Sequence, residues 1–331
     1  MTTPNAPGLV LDPTNPPAKL KPIDLSPWRH GNTGIAYAAT IAAERPGPHT
    51  LIMALMHGNE LCGAHAIAFL HSHNVQPVRG RITLAFANVA AYDTFDCRQP
   101  GDARFLDEDM NRVWHAGTLN GQRTSRELSR ARELHPLVES ADYLLDLHAM
   151  ENTGPPLVLA GLTERALDLA IRMGVHEYIV RDGGHANGTR LRDYGPFSAH
   201  DGDHTALLVE CGQREHPDSA KVAIDVSVDF LACLDLISED TRSRLSARNK
   251  SPVQRIVDVT HAVTAASDNF VFLNDVDGFQ MISQAGTIIA CDGDQPVQTP
   301  YDNCVLVMPS REAVAGQTAV RFGRYLQDQR Q

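Results

Sequence analysis

Short apolar runs alternate with helically spaced segments along most of the chain. Leu51-Ile-Met-Ala-Leu-Met56 contains no polar residue, the pattern of a strand buried on both faces, and Leu61 to Ser72 follows with helical spacing. Arg81-Ile-Thr-Leu-Ala-Phe-Ala87 predicts the next strand. Ser125 to Ser140 and Thr163 to Met173 carry helical patterns, while Tyr143-Leu-Leu-Asp-Leu-His148 and Thr205-Ala-Leu-Leu-Val-Glu210 are strand-like. Asp218 to Ile237 predicts a long closing helix. This alternation is the signature of an α/β sheet covered by helices on both faces.

After about residue 248 the pattern changes to short β-rich runs separated by Gly, Asp and Pro, such as Phe270-Val-Phe-Leu273, Thr287-Ile-Ile-Ala290 and Cys304-Val-Leu-Val-Met308. A small all-β domain over 250–331 is therefore expected, with polar Glu239 to Lys250 as its linker and a main domain over 26–240. Residues 1–25 hold six prolines, which exclude regular helix and predict an extended arm.

Charge narrows the range of partners. Twenty-nine Lys and Arg against forty Asp and Glu leave a net −11, a field that repels phosphate backbones and anionic lipid surfaces. Nucleic acid and membrane partners are not expected, and an anionic substrate needs arginines gathered locally. The six cysteines include no CxxC pair and are too few for a disulfide scaffold, so they read as reduced thiols. The start lacks the charged and apolar regions of a secretory signal, and Leu61 to Val78 carries too many polar residues to span a bilayer. A cytoplasmic enzyme is the expectation, with homo-oligomer formation left open.

His57-Gly58-Asn59-Glu60 stands where a buried strand gives way to a helix, the place where α/β sheets present functional loops. A His and a Glu three apart across such a turn can offer one ion a nitrogen and an oxygen. Taken alone, His-x-x-Glu equally fits a helix N-terminus with a capping carboxylate. Asp146-Leu147-His148, at the end of another predicted strand, offers a third ligand. His57, Glu60 and His148 then form a His2Glu set with one coordination position open, and Asp146, two residues before His148 on the same strand face, can orient a ring. Glu210 ends an otherwise apolar strand, where an unpaired carboxylate is costly; it reads as functional or as half of a buried ion pair. Glu108 reads as solvated face, Asp109 as a brace for an arginine or a ligand histidine, and Cys211 as packing.

Four motifs in order, His-Gly-Asn-Glu at 57–60, Asp-Met-Asn-Arg at 109–112, Asp-Leu-His at 146–148 and Glu-Cys-Gly at 210–212, resemble the succinylglutamate desuccinylase and aspartoacylase family, relatives of the zinc carboxypeptidases. The resemblance covers roughly residues 50–236 and, more loosely, the β-rich tail. It implies a zinc-carboxypeptidase-like α/β/α sandwich with a mixed sheet plus a small C-terminal all-β domain. It also implies one Zn2+ held by His57, Glu60 and His148, with Glu210 as general base and Arg104 beside the scissile carbonyl. Asn111 and Arg112 hold the substrate's α-carboxylate in this reading, and Tyr194 joins them as a substrate-binding residue. Relatives acting on acylated aspartate place an arginine shortly after a tyrosine upstream of the catalytic glutamate; after Tyr194 the comparable position here is Ser198, which speaks against an aspartate-type substrate.

The expected activity is zinc-dependent hydrolysis of a small N-acyl amino acid or related amide, although such a site also accepts cobalt or manganese. The alternatives are a metallocarboxypeptidase for short peptides and a non-catalytic zinc-binding protein of the same fold. A β-rich tail that caps the cleft favours small molecules over peptides. The segment 181–204, polar and Gly-rich, reads as a lid or specificity loop.

Overall fold

The computed structural model describes residues 19–185, 187–246 and 253–326. Most of the proline-rich arm, residues 1–18, and the end of the expected linker, 247–250, lie outside the described residues. In chain order the strands are β1 Ala38–Ala42, β2 His49–Ala54, β3 Arg81–Phe86, β4 Tyr143–Met150, β5 Leu157–Leu159, β6 Tyr178–Arg181, β7 Thr205–Gln213, β8 Arg255–Thr264, β9 Phe270–Phe272, β10 Met281–Ile282, β11 Ile288–Asp292, β12 Gln295–Gln298, β13 Cys304–Val307 and β14 Thr318–Tyr325. The main sheet runs β1-β3-β2-β4-β7-β5-β6-β8-β14-β13-β10, and a small antiparallel sheet runs β12-β11-β9.

The apolar runs sit at the centre of the main sheet. β2 is buried at every position and pairs in parallel with β3 and β4. Its side chains alternate: Ile52 and Ala54 enter a core shared with the helices Cys62–Ser72 and Pro217–Cys233, while Leu51 and Met53 enter the core beneath the helix Arg126–Glu139. Helices on both faces complete the expected α/β/α layering. The main sheet is mixed: β1 runs antiparallel to β3, β5 antiparallel to β7 but parallel to β6, and β8, β14, β13 and β10 pair antiparallel in turn.

The C-terminal strands have their own core of Ala265, Phe270, Ile289, Leu306, Val320 and neighbours. They also extend the main sheet, because β8 pairs in parallel with β6 from Tyr178↔Arg255 to Arg181↔Asp258. Between the two units the structure forms a helix, Glu239–Leu245, where the polar sequence suggests a linker. Ser238 caps its N-terminus by accepting from Thr241 N–H, acids fill its first turn and arginines its last, so local electrostatics stabilise it. Arg242 then pairs with Asp229 and Ser246 with Asp225 on the preceding helix. No described helix is long and apolar enough to cross a membrane.

Candidate active site

The chain leaves β2 through Leu55, a buried residue with a left-handed φ of 58°, and enters the turn at 57–60. A leucine there is strained, and the surrounding core holds it in place. Gly58 serves close packing rather than an unusual φ: a Cβ there would stand 2.3 Å from Tyr92 N and 2.6 Å from Ala103 O. Its N–H donates to Arg104 O at 3.1 Å, which ties the turn to the Arg104 segment. That segment is held in turn by Glu127, fully buried, which accepts from the N–H groups of Leu106, Asp107 and Glu108.

The structure brings His57, Glu60 and His148 together, with ligand atoms within 4.8 Å of one another. Glu60 Oε1 lies 2.7 Å from His57 Nδ1, and Glu60 Oε2 lies 2.9 Å from His148 Nδ1. Each ring turns its other nitrogen to an acid: His57 Nε2 is 2.9 Å from Asp109 Oδ1, and His148 Nε2 is 2.9 Å from Asp146 Oδ2. The Asp146 contact has the distance of an ion pair without the alignment of a hydrogen bond. Two imidazoles and a carboxylate converging from two strand ends, with a carboxylate behind each ring, fit a divalent ion such as zinc.

Electrostatics agree with a place for a cation. Burial pushes the Glu60 carboxyl up, but His57 and His148 together hold it well below the usual carboxylate range. Burial likewise disfavours a charged His148, yet Asp146 and Glu60 carry it well above the ordinary imidazole value. Asp109 is held below the usual range against its own burial by His57, Arg112 and Arg104.

Glu210 lies directly opposite His148 in the β4–β7 register, so it projects to the same side of the sheet. It is 9% exposed and its Oε2 has no hydrogen-bond partner. Burial, with Glu60 adding to it, pushes its carboxyl up to about 7 against the opposing pull of His148. Glu210 and the three clustered residues line one cleft of about 480 Å3, together with Arg104, Asn111 and Arg112. Arg104 Nη1 donates to Glu60 Oε1 at 3.1 Å, placing its guanidinium beside the cluster. Arg112 donates to Asn111 O at 2.7 Å and has Asp109 Oδ2 at 3.6 Å. Asn111 accepts from Leu191 N–H through Oδ1 and points Nδ2 towards His148.

Tyr194 is not brought to the cleft. Its hydroxyl lies 2.7 Å from His135 Nε2 and donates to Glu139 Oε1, on the helix Arg126–Glu139. The short turn Leu191–Asp193 that precedes it directs the ring into the core beneath that helix. Two arginines that the motifs do not single out for this role do line the cleft, Arg190 and Arg321. Arg321 left a trace in the sequence: it interrupts the apolar run Ala319-Val320-Arg321-Phe322, as Glu210 interrupts its own strand. Glu127 left none, because an acid in a helix's first turn ordinarily faces solvent.

Residues 46–166 match the family model of the Succinylglutamate desuccinylase/Aspartoacylase catalytic domain. The motif-based family resemblance is borne out. The matched segment carries His57, Glu60, Arg104, Asn111, Arg112 and His148, whereas Glu210 follows it. No curated protein matches the chain. Among solved structures, succinylglutamate desuccinylase from Vibrio cholerae superposes with a TM-score of 0.63 at 18% identity, over 89% of this chain and 93% of that one. The Vibrio parahaemolyticus succinylglutamate desuccinylase gives 0.62 at 19% identity, over 88% and 87%. The ectoine utilization protein EutE (DoeB) from Ruegeria pomeroyi, in a product-bound structure, gives 0.60 at 15% identity, over 86% and 88%. At these identities the likeness to the desuccinylases is one of fold.

Proposed function

We propose that the protein is a zinc-dependent hydrolase that cleaves the amide bond of a small N-acyl amino acid or related N-acylated compound. One observation carries the reading: an unpartnered, buried Glu210 carboxylate shares a cleft with the converging His57, Glu60 and His148. When bound by these three residues, zinc supplies Lewis acidity and lowers the pKa of water from about 15.7 towards about 7.

The chain's own groups take the remaining roles. Glu210 accepts a proton from the attacking water and delivers it to the departing amine. Arg104 faces the charge that develops on the carbonyl oxygen as the bond to water forms. Arg112, with the Asn111 amide beside it, receives the substrate's carboxylate bidentately. Asp109 and Asp146 fix the ring orientations of His57 and His148.

A small substrate is favoured over a peptide because the C-terminal domain walls the cleft through Phe279, Met308, Thr318 and Arg321. The names of the related structures point towards acylated amino acids. Metal-loaded protein offered acetyl, succinyl and longer-chain N-acyl amino acids alongside dipeptides tests the proposal. Release of a free amino acid and a carboxylic acid from the acylated compounds is expected; cleavage of dipeptides alone identifies a metallocarboxypeptidase. Tight stoichiometric metal without turnover of any amide identifies a non-catalytic binder.

A further inference from the structure

One wall of the cleft is apolar. Met150, Phe279 and Met308 line it, and Leu157, Leu159 and Leu208 stand behind them in a single hydrophobic cluster. Met150 and Met308 are half-buried and Phe279 is 7% exposed, so these three keep surface open to the cleft while the leucines back them. Apolar surface in a concave site gains from a ligand that displaces water from it.

The backbone is strained where it presents two of these side chains. Phe279 has a φ of 67° and Met308 a φ of 49°, a region that glycine enters freely and larger residues do not. Phe279 is held there from three directions. Its N–H donates to Leu306 O at 2.6 Å, its carbonyl accepts from the Tyr325 hydroxyl at 3.2 Å, and its ring stacks on Tyr178 with centroids 3.8 Å apart. Large apolar side chains kept in such conformations at a cleft point to a use for the side chains themselves.

The sheet register fixes where this wall lies relative to the chemistry. Glu210 has His148 opposite it on β4 and Leu157 opposite it on β5, and Leu159 stands opposite Leu208. Paired residues project to the same side of a sheet, so Glu210 stands between the His57, Glu60 and His148 cluster and the apolar wall.

Resting on the hydrolase reading above, we infer that Met150, Phe279 and Met308 select an N-acyl amino acid with an apolar side chain, of about the size of leucine or methionine. The amine departs at Glu210, so the amino-acid half of the amide lies against the wall and the acyl half lies towards Arg104. The α-carboxylate stays with Arg112. Arg321, which an acidic side chain would need, already has Asp182 3.2 Å away.

Two measurements on metal-loaded protein test the inference with N-acetyl derivatives of L-leucine, L-methionine, L-alanine and L-aspartate. Wild type is assayed for turnover, and Glu210→Gln is titrated calorimetrically. The leucine and methionine compounds should exceed the alanine and aspartate compounds at least tenfold in kcat/KM, with the same order in affinity. Met308→Arg should lower the leucine-to-aspartate ratio about tenfold, and Phe279→Ala the leucine-to-alanine ratio about fivefold; thermal melts confirm that both variants fold. Preference for aspartate or alanine, or unchanged ratios in both variants, overturns the inference and leaves the hydrolase reading standing. The expected order of affinity without turnover of any of the four supports the wall and counts against the hydrolase reading alone.

Discussion

Two groups of side chains line the cleft, and they lack opposite charges. Around His57 and His148 stand four carboxylates, those of Glu60, Asp109, Asp146 and Glu210, against the one guanidinium of Arg104, so this group has room for a further cation. Around Arg112, Arg190 and Arg321 the positive charge prevails at His185 over the contacting Asp109, Asp182 and Asp193: burial and these three guanidiniums drive His185 down to about 3. That group lacks an anion. This charge pattern supports the proposed reading of a metal on one side and a negatively charged substrate on the other, against the overall −11 of the chain.

The two groups can be broken separately. Removing the metal with a chelator should bring turnover to background, with activity restored by zinc; Glu60→Ala should fail to hold stoichiometric metal in elemental analysis. Activity that survives complete metal removal would sink the metallohydrolase reading. Glu210→Gln should keep its metal and lower kcat by roughly 10² to 10⁴, the usual worth of a positioned acid-base group. On the arginine side, Arg112→Ala should act mainly on KM, raising it about ten- to a hundredfold, as expected for a lost charge-assisted contact. A fall confined to kcat would instead place Arg112 at the reacting atoms.

The next effect is on stability. The Glu210 carboxyl is raised from its ordinary 4.5 to about 7, so its protonated form stabilises the fold fully below about 4.5 and that contribution is lost as pH rises through about 7. In metal-free protein, Glu210→Gln should therefore melt higher than wild type at pH 8, by an amount on the order of 3 kcal/mol, and the gap should narrow towards pH 5. A gap that widens with acid would contradict the sign. The smallest effect is expected at Tyr194, where Tyr194→Phe removes a hydroxyl bonded to His135 and Glu139 and costs about 1 kcal/mol of stability. Its KM should stay within about twofold, and a larger change would return Tyr194 to the substrate site.

The contrast between the groups also explains what the sequence made legible. His57 and Glu60 follow β2 in its turn, while His148 and Glu210 lie on β4 and β7, whose apolar runs announce themselves, so strand periodicity fixes the face that His148 and Glu210 share. Beyond Arg112, the arginine group is assembled from a loop and from β14: Arg190 and Arg321 are distant in sequence and joined through Asp182. No spacing rule links such residues. Tyr194 shows the limit of motif reading, since the short turn before it rotates the ring away from the cleft. Strands β5 and β6 were illegible for a related reason: three and four residues are too few to show a period.

The parallel pairing of β6 with β8 has a consequence for dissecting the protein. A chain cut near residue 250 would leave the backbone groups of Tyr178–Arg181 as an open sheet margin and would strip Arg321 from Asp182. Such a fragment should self-associate through that bare strand rather than behave as a smaller enzyme.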